Sequence, residues 1–455
     1  MVFTRLFYLV QALDKITLTG WKKFSCYILV ICYLCIPVSS SVEIGAFQLN
    51  LPIEPLLGIS AILLFYTIDI KTLVLSSFIR HPLTLLALLY HLCMMISITY
   101  STDYVVSAKY ALVNSLHFWV FYFGIYYLAI HQVDFRKLLH AYIISFSFII
   151  CYSFLRYGAF NFGDGVAPEL ARPFYSDHTL FGASLAFLFP LLFLKDIGFK
   201  KSKTWRPLLI LFYLLAIIII YSQAVWLSLI LGLITYQGIK KYKSNSQVII
   251  YLSVIFVLIS SILLFTIYKI NTQSTDRYSI FTSIGKKIVP GKLIKDVSTL
   301  ERINRYSCAI RMWRDRPLFG FGAGTFQFAY LPYQLPSDMT RISVTTARAL
   351  DGKPHSSGKG GGAHSEYFQA FVELGLIGGI TWLLFVIFTI HYSLKIYYST
   401  SPADRFILAI FIALLGYFIH ALFNNLLHNE EVSFLFWSMI GWVVYSDSGS
   451  EIKNK

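Results

Sequence analysis

The sequence predicts an all-α polytopic membrane protein of about twelve spanning helices with one large, mostly helical loop on the outer side. Three observations carry that expectation. The 455 residues are 56% hydrophobic and only 13% charged, against about 25% charged residues in an ordinary soluble domain, and the mean hydropathy is positive. Apolar runs recur at close to the ~20 residues a helix needs to cross a bilayer. A single long polar interruption, 270–365, divides them.

Taken in order, the runs fall at 24–40, 53–69, 82–99, 110–130, 138–156, 179–195, 207–221, 223–239, 248–269, 366–391, 405–425 and 431–446. The seventh and eighth are joined by almost nothing (IIIIYSQAVW), which predicts a tight hairpin. The chain thus divides into a first membrane domain (residues 1–269), a large loop (270–365) and a second membrane domain (366–455). No signal peptide is evident at the N-terminus. Its first ~20 residues (VFTRLFYLVQAL) read as a short interfacial helix. Five of the six cysteines sit in apolar runs, and Cys32-x-x-Cys35 lies inside a span, where free cysteine packs as a small hydrophobe. No structural disulfide is expected.

Orientation follows from Lys and Arg in the short loops. One side holds 20 of them, and the opposite side holds three, Lys109, Arg156 and Arg172. Both termini are therefore expected in the cytoplasm, with the long loop outside, periplasmic in a bacterial inner membrane. That loop is itself basic, with fifteen Lys and Arg (Lys269 at its edge included) against six acids. Long loops are exempt from the orientation rule, so the charge asks for an anionic partner instead. The net charge of +15 suits lipid head groups and phosphates. Nucleic acid is a poor partner for a chain that is mostly buried in lipid.

The candidates for chemistry cluster at the predicted outer face. In TLERINRYSCAIRMWRDRPLFGFGAGTFQFAY (299–330), Arg302 and Arg305 lie three residues apart and share one helix face. A guanidinium matches phosphate in a bidentate manner, so the pair is a candidate diphosphate clamp. Pro317 ends that helix, and GFGAG (320–324) allows close backbone approach. A glycine run then leads to His364 at the start of the tenth span. An imidazole near its ordinary pKa of ~6.5 can accept a hydroxyl proton at neutral pH. Glu366 either orients that ring or starts the helix. Asp177 and His178 open the sixth span and could line the same site, and Arg172 is a further candidate cation for diphosphate. His428, Glu430 and Glu431 are expected at the surface of the last outer turn, and His91, His117 and His420 inside spans as hydrogen-bonded core residues. Although His178, His355, His364 and Glu366 could converge on a metal, no D-x-D pair accompanies them, so no metal and no cofactor is expected.

The helix with Arg302, Ala309 and Trp313, the Pro317-x-x-Gly320-x-Gly322 turn, His364, and Glu373-x-Gly375-x-x-Gly378 together resemble the signature of the O-antigen ligase and O-antigen polymerase family. RPFYSDHTLFGASLAFLFP (172–190) resembles the segment leading into one of its middle spans. The likeness covers about 120 residues in detail and the twelve-span layout in general. It implies a GT-C-like fold and a metal-independent, inverting glycosyltransferase. The implied donor is an undecaprenyl-diphosphate-linked glycan, with His364 as base and Arg302, Arg305 and Arg172 at the diphosphate. The sequence departs from the pattern at the hairpin, where Gln223 stands in place of an arginine taken to hold phosphate. Lipid A-core sugar is the favoured acceptor, which makes the chain a ligase. The competing readings are a polymerase, a protein O-oligosaccharyltransferase, and a lipid-linked glycan flippase or transporter.

Overall fold

The computed structural model describes residues 20–44, 47–163, 166–194, 205–242, 244, 246–248, 250–251, 297–335, 347–348, 354–355, 361–399 and 404–453. The helices are α1 (Gly20–Cys35), α2 (Ile53–Thr67), α3 (Ile70–Leu75), α4 (Ser77–Arg80), α5 (Pro82–Ser97), α6 (Tyr104–His117), α7 (Gly124–Ile130), α8 (Phe135–Ala159), α9 (His178–Leu188), α10 (Trp205–Ile220), α11 (Gln223–Lys241), α12 (Val297–Asp315), α13 (Phe326–Ala329), α14 (Glu366–Ser399), α15 (Arg405–His420) and α16 (Glu430–Lys453). Strands β1 (Ser40–Ile44) and β2 (Phe47–Leu51) pair antiparallel, as do the two-residue β3 (Ala347–Arg348) and β4 (Pro354–His355). Helix stands at eleven of the twelve predicted spans. The ninth, 248–269, lies beyond residue 251 outside the described residues, as do the predicted interfacial stretch 1–19 and loop residues 270–296.

Among the described residues, five helices are long and apolar enough to cross a membrane: Gly20–Val38, Pro82–Tyr100, Tyr104–Ile130, Phe135–Ala159 and Glu366–Ser399. Four more are apolar and shorter: Ile53–Thr67, His178–Phe193, Trp205–Ile220 and Arg405–His420. Ile62, Phe65, Leu112, Leu155, Leu233 and Ile387 point outward from the helix bundle. So many apolar side chains on the outer surface fit a lipid solvent and not water. The protein is an all-α, membrane-integral chain.

The helices start where their sequences can satisfy the first turn's N–H groups. Asp69, Asp103, Asp134, Asp177 and Asp404 each accept from backbone N–H two residues on, as N-cap carboxylates do. In the predicted 110–130 span, the helix widens into a π segment over Phe118–Phe123. Within it the Val120 carbonyl accepts from Gly124 N and also from the Tyr33 hydroxyl, the latter at 2.6 Å. All six cysteines are unpaired.

Helix α14 is broken at Gly375 (φ 67°, ψ −162°), a region of the map that glycine alone reaches readily. The break leaves two backbone carbonyls without a partner in the helix, and the GFGAG turn takes both. Phe321 N donates to Val372 O at 2.9 Å, and Gly322 N donates to Glu373 O at 2.9 Å. On the far side of the break, Leu376 N donates to Pro317 O at 2.8 Å. Contact is close enough that a Cβ on Gly375 would collide with Leu318 O, and one on Gly320 (φ 74°) would lie 2.5 Å from Val372 O. A small apolar core of Cys308, Met312, Phe321, Phe326 and Tyr330 closes over Ala363 and Val372. The described portion of the long loop is therefore packed onto α14 instead of standing away from it.

Chain polarity sorts the helix ends into two layers. The starts of α9, α14 and α16 and the ends of α5 and α15 meet at one layer. At the other, Arg136 pairs with Asp404 at 3.1 Å, and Asp447 takes both Lys395 (3.1 Å) and His81 (3.3 Å). Glu430 and Glu431, expected at the surface, are instead buried, and the β1–β2 hairpin reaches Glu430, where Asn50 Nδ2 donates to its Oε1 at 2.6 Å.

Replacing Gly375 with Ala is expected to cost roughly 3 kcal/mol or more, since a glycine-only backbone and a clash combine. Gly58→Ala, on α2 with open space around it, is expected to be neutral or to stabilise by up to about 1 kcal/mol. Thermal unfolding of the two purified variants measures the contrast.

Candidate active site

Building on the break in α14, Glu373 becomes the fixed point of the outer layer. Its carboxylate accepts from Gly324 N (2.7 Å), Phe326 N (3.0 Å) and Gln369 Nε2 (2.5 Å). Gln369, one turn earlier, turns its oxygen to Ala363 N at 2.8 Å. That bond sets the approach of the next residue, His364, whose φ of 53° folds the chain back at the mouth of α14. The backbone of His364 is then held from two more sides. Its N–H donates to Asn425 Oδ1 at 3.2 Å, and its carbonyl lies 3.2 Å from the Tyr306 hydroxyl, which also donates to Leu422 O at 2.6 Å.

The ring of His364 opens onto a cavity of about 460 Å³, within the usual range for a ligand site. Arg302, Asp177 and His178 share its wall with His364. Four of the eight residues singled out from the sequence thus come together from three separate segments. Arg302 comes from α12, where its Nε also donates to Phe423 O at 3.2 Å. Asp177 caps α9 through Thr179 N at 2.9 Å and sits 2.7 Å from His178 Nδ1.

The other four are placed differently. Arg305 is buried behind the wall. Its Nε pairs with Glu301 at 3.1 Å, and its Nη1 donates to the carbonyls of Gly361 (2.9 Å) and Gly362 (2.7 Å). It clamps the glycine run that delivers His364. Glu366 accepts from the Tyr417 hydroxyl (2.9 Å), Leu426 N (2.8 Å) and Leu427 N (2.8 Å), so its bonds run to the α15–α16 turn. Arg172 pairs with Glu169 at 3.0 Å and donates to Ser176 O at 3.3 Å, bracing the segment before Asp177 from outside the cavity. Gln223 is exposed at the start of α11 and does not line the cavity.

Several wall residues were not singled out from the sequence: Glu301, Gln327, Gln369, Asn424, Asn425 and Asn429. Three of them lie in HALFNNLLHNE (420–430), a polar run between two apolar spans, and that density of amides was the available signal. His91 and His420 are hydrogen-bonded as core residues, to Ala87 O (2.8 Å) and Asn424 (3.1 Å). Among the described residues, no three His, Cys, Asp or Glu side chains form a metal-ligand set. His355 lies on β4.

The electrostatics keep the imidazole neutral. Burial, then the guanidinium groups of Arg305 and Arg302, lower the His364 pKa to about 3, against a smaller opposing pull from Asp177. A neutral ring holds a lone pair available at physiological pH. For Asp177, burial pushes upward, but hydrogen bonds from His178 and Thr179 prevail and bring it down to about 2.

A histidine depressed in the folded state stays neutral below pH ~6.5 while the unfolded chain takes up its proton. Its contribution to stability is thus complete above about pH 6.5 and falls away towards about pH 3. The melting temperature of the wild-type protein is expected to drop more between about pH 6.5 and 4 than that of His364→Gln. Parallel melting curves across that window check the difference.

No curated protein matches the chain. Residues 208–383 match the family model described as O-antigen ligase, a stretch that runs from α10 through α11, Arg302, the GFGAG turn and His364 to the break in α14. Over these residues the chain is similar to the O-antigen ligase family.

Proposed function

We propose that the protein is an O-antigen ligase-type glycosyltransferase that moves a glycan from undecaprenyl diphosphate to a sugar hydroxyl of lipid A-core on the periplasmic side. The observation that supports this most is the single cavity shared by His364, Arg302 and Asp177. A diphosphate is a good leaving group once its charge is held, so the chain needs a cation and a base and no activating cofactor. In the proposed step the acceptor oxygen attacks the anomeric carbon, and the bond from that carbon to the phosphate oxygen breaks. Configuration at that carbon inverts. The hydroxyl proton passes to the neutral His364 ring, and the electron pair of the broken bond stays on undecaprenyl diphosphate. Arg302 holds the charge that develops there. Arg305 acts indirectly by keeping the His364 loop in place.

The orientation drawn from the basic short loops supports the periplasmic assignment, since the cavity lies at the helix ends opposite those loops. A general base contributes about 10²–10⁴-fold. His364→Ala is therefore expected to reduce transfer by that factor, with lipid-linked donor accumulating on the periplasmic side. Donor stranded on the cytoplasmic side would instead indicate transport. Arg302→Ala is expected to lower kcat/KM for the donor roughly ten- to hundredfold, the worth of one charge-assisted hydrogen bond. Arg302→Lys should recover only a fraction of this, because a point charge lacks the guanidinium fork. The test is in vitro transfer with the purified full chain and no added metal or ATP. It compares lipid A-core, a second lipid-linked unit and a Ser/Thr peptide as acceptors, and preference for either of the last two overturns the ligase assignment.

The pH profile offers a separate check. Bound diphosphate brings negative charge beside the ring and offsets Arg302 and Arg305, so it raises the His364 pKa from its value of about 3 in the empty site. The acid limb of kcat is expected at higher pH than that of kcat/KM, because the two report the bound and free enzyme respectively. Coincident limbs would remove His364 as the base.

A further inference from the structure

Besides the charged groups, the cavity presents neutral amides: Gln327 from α13 and Asn425 and Asn429 from the α15–α16 turn. Each is only partly engaged. Asn425 spends its oxygen on His364 N, and Asn429 spends its Nδ2 on Leu426 O (3.1 Å) and His428 (3.4 Å). Among the described residues, the Asn425 NH₂ group, the Asn429 oxygen and the whole Gln327 amide make no hydrogen bond within the protein. These unspent groups include both donors and acceptors. A phosphate offers acceptors only and is met by donors. A metal ion is met by acceptors only. A hydroxylated ring both donates and accepts at several points around its edge, so it uses the full set.

The wall is also held rigid from behind. Glu366 fixes Leu426 N and Leu427 N between the two asparagines, and preordered groups lose little entropy on binding. Asn425 touches the backbone of His364 itself, so the ring bound at this wall is the one whose hydroxyl meets the base.

We infer that Gln327, Asn425 and Asn429 form a subsite for a neutral saccharide, namely the sugar ring that carries the acceptor hydroxyl. The assignment rests on glycan transfer at this cavity and adds the chemistry of the acceptor: uncharged hydroxyls near the reacting one, in preference to a uronate or phosphorylated ring.

Transfer kinetics on Gln327→Ala and Asn429→Ala, with donor and acceptor varied in turn, tests it. Loss of one neutral hydrogen bond should raise the acceptor KM by about three- to tenfold in each variant, with a far smaller change in donor KM. Gln327→Glu should favour no acceptor with a charged ring. A rise confined to donor KM, or no change while His364→Ala is inactive, overturns the subsite and leaves the transfer reading standing. Saturation-transfer NMR of wild-type protein with a neutral core oligosaccharide supplies the second readout. Contact to its ring protons that is weakened in both alanine variants supports the subsite even where wild-type protein fails to transfer, an outcome that would sink the enzyme reading alone. No contact in the wild type overturns the subsite.

Discussion

A carboxylate in the middle of a broken helix organises the outer layer of this protein. Glu373 receives two backbone N–H groups from the GFGAG turn and its neighbour, and one amide from its own helix. It can do so because Gly375 interrupts α14 just after it and turns the Val372 and Glu373 carbonyls outward. A continuous helix would satisfy those carbonyls internally and leave the turn nothing to bind. The loop is thereby seated on the membrane helix through main-chain bonds on both sides of the break.

From that anchor the site assembles by short steps. Gln369 links Glu373 to Ala363 N, and Asn425 and Tyr306 catch the next residue. Arg305 gathers the glycine carbonyls just before it. The result is a half-buried imidazole whose surroundings disfavour its charged form, sharing one cavity with the Arg302 guanidinium. Two of the conspicuous charged residues near the site, Arg305 and Glu366, spend themselves on backbone groups. One steadies the glycine run and the other the Asn-rich turn.

Much of the membrane layout was legible in the sequence, because an apolar run of span length has few alternatives in lipid. The short join at Tyr221–Ser222 was equally plain, but the packed hairpin expected there does not form, since α11 packs chiefly against α15 and scarcely against α10. Convergence of His364, Arg302, Asp177 and His178 was legible only as a shared side of the membrane. Their meeting in one cavity depends on tertiary contacts that spacing does not encode. Arg302 and Arg305 illustrate the limit. Three residues apart, they share a helix face in projection, yet one reaches the cavity and the other turns into Glu301 and the glycine carbonyls. Glu430 escaped the sequence reading for a similar reason, as a hairpin from the other end of the chain reaches it. The amides of the wall were missed because uncharged side chains in a turn look like ordinary loop residues.

The linkage from Glu373 to His364 has a consequence for biogenesis. Because one carboxylate docks the loop segment and, through Gln369, sets the backbone just before His364, the membrane helices alone cannot shape the cavity wall. That wall takes form only once α14, synthesised after the segment that precedes it, has captured that segment.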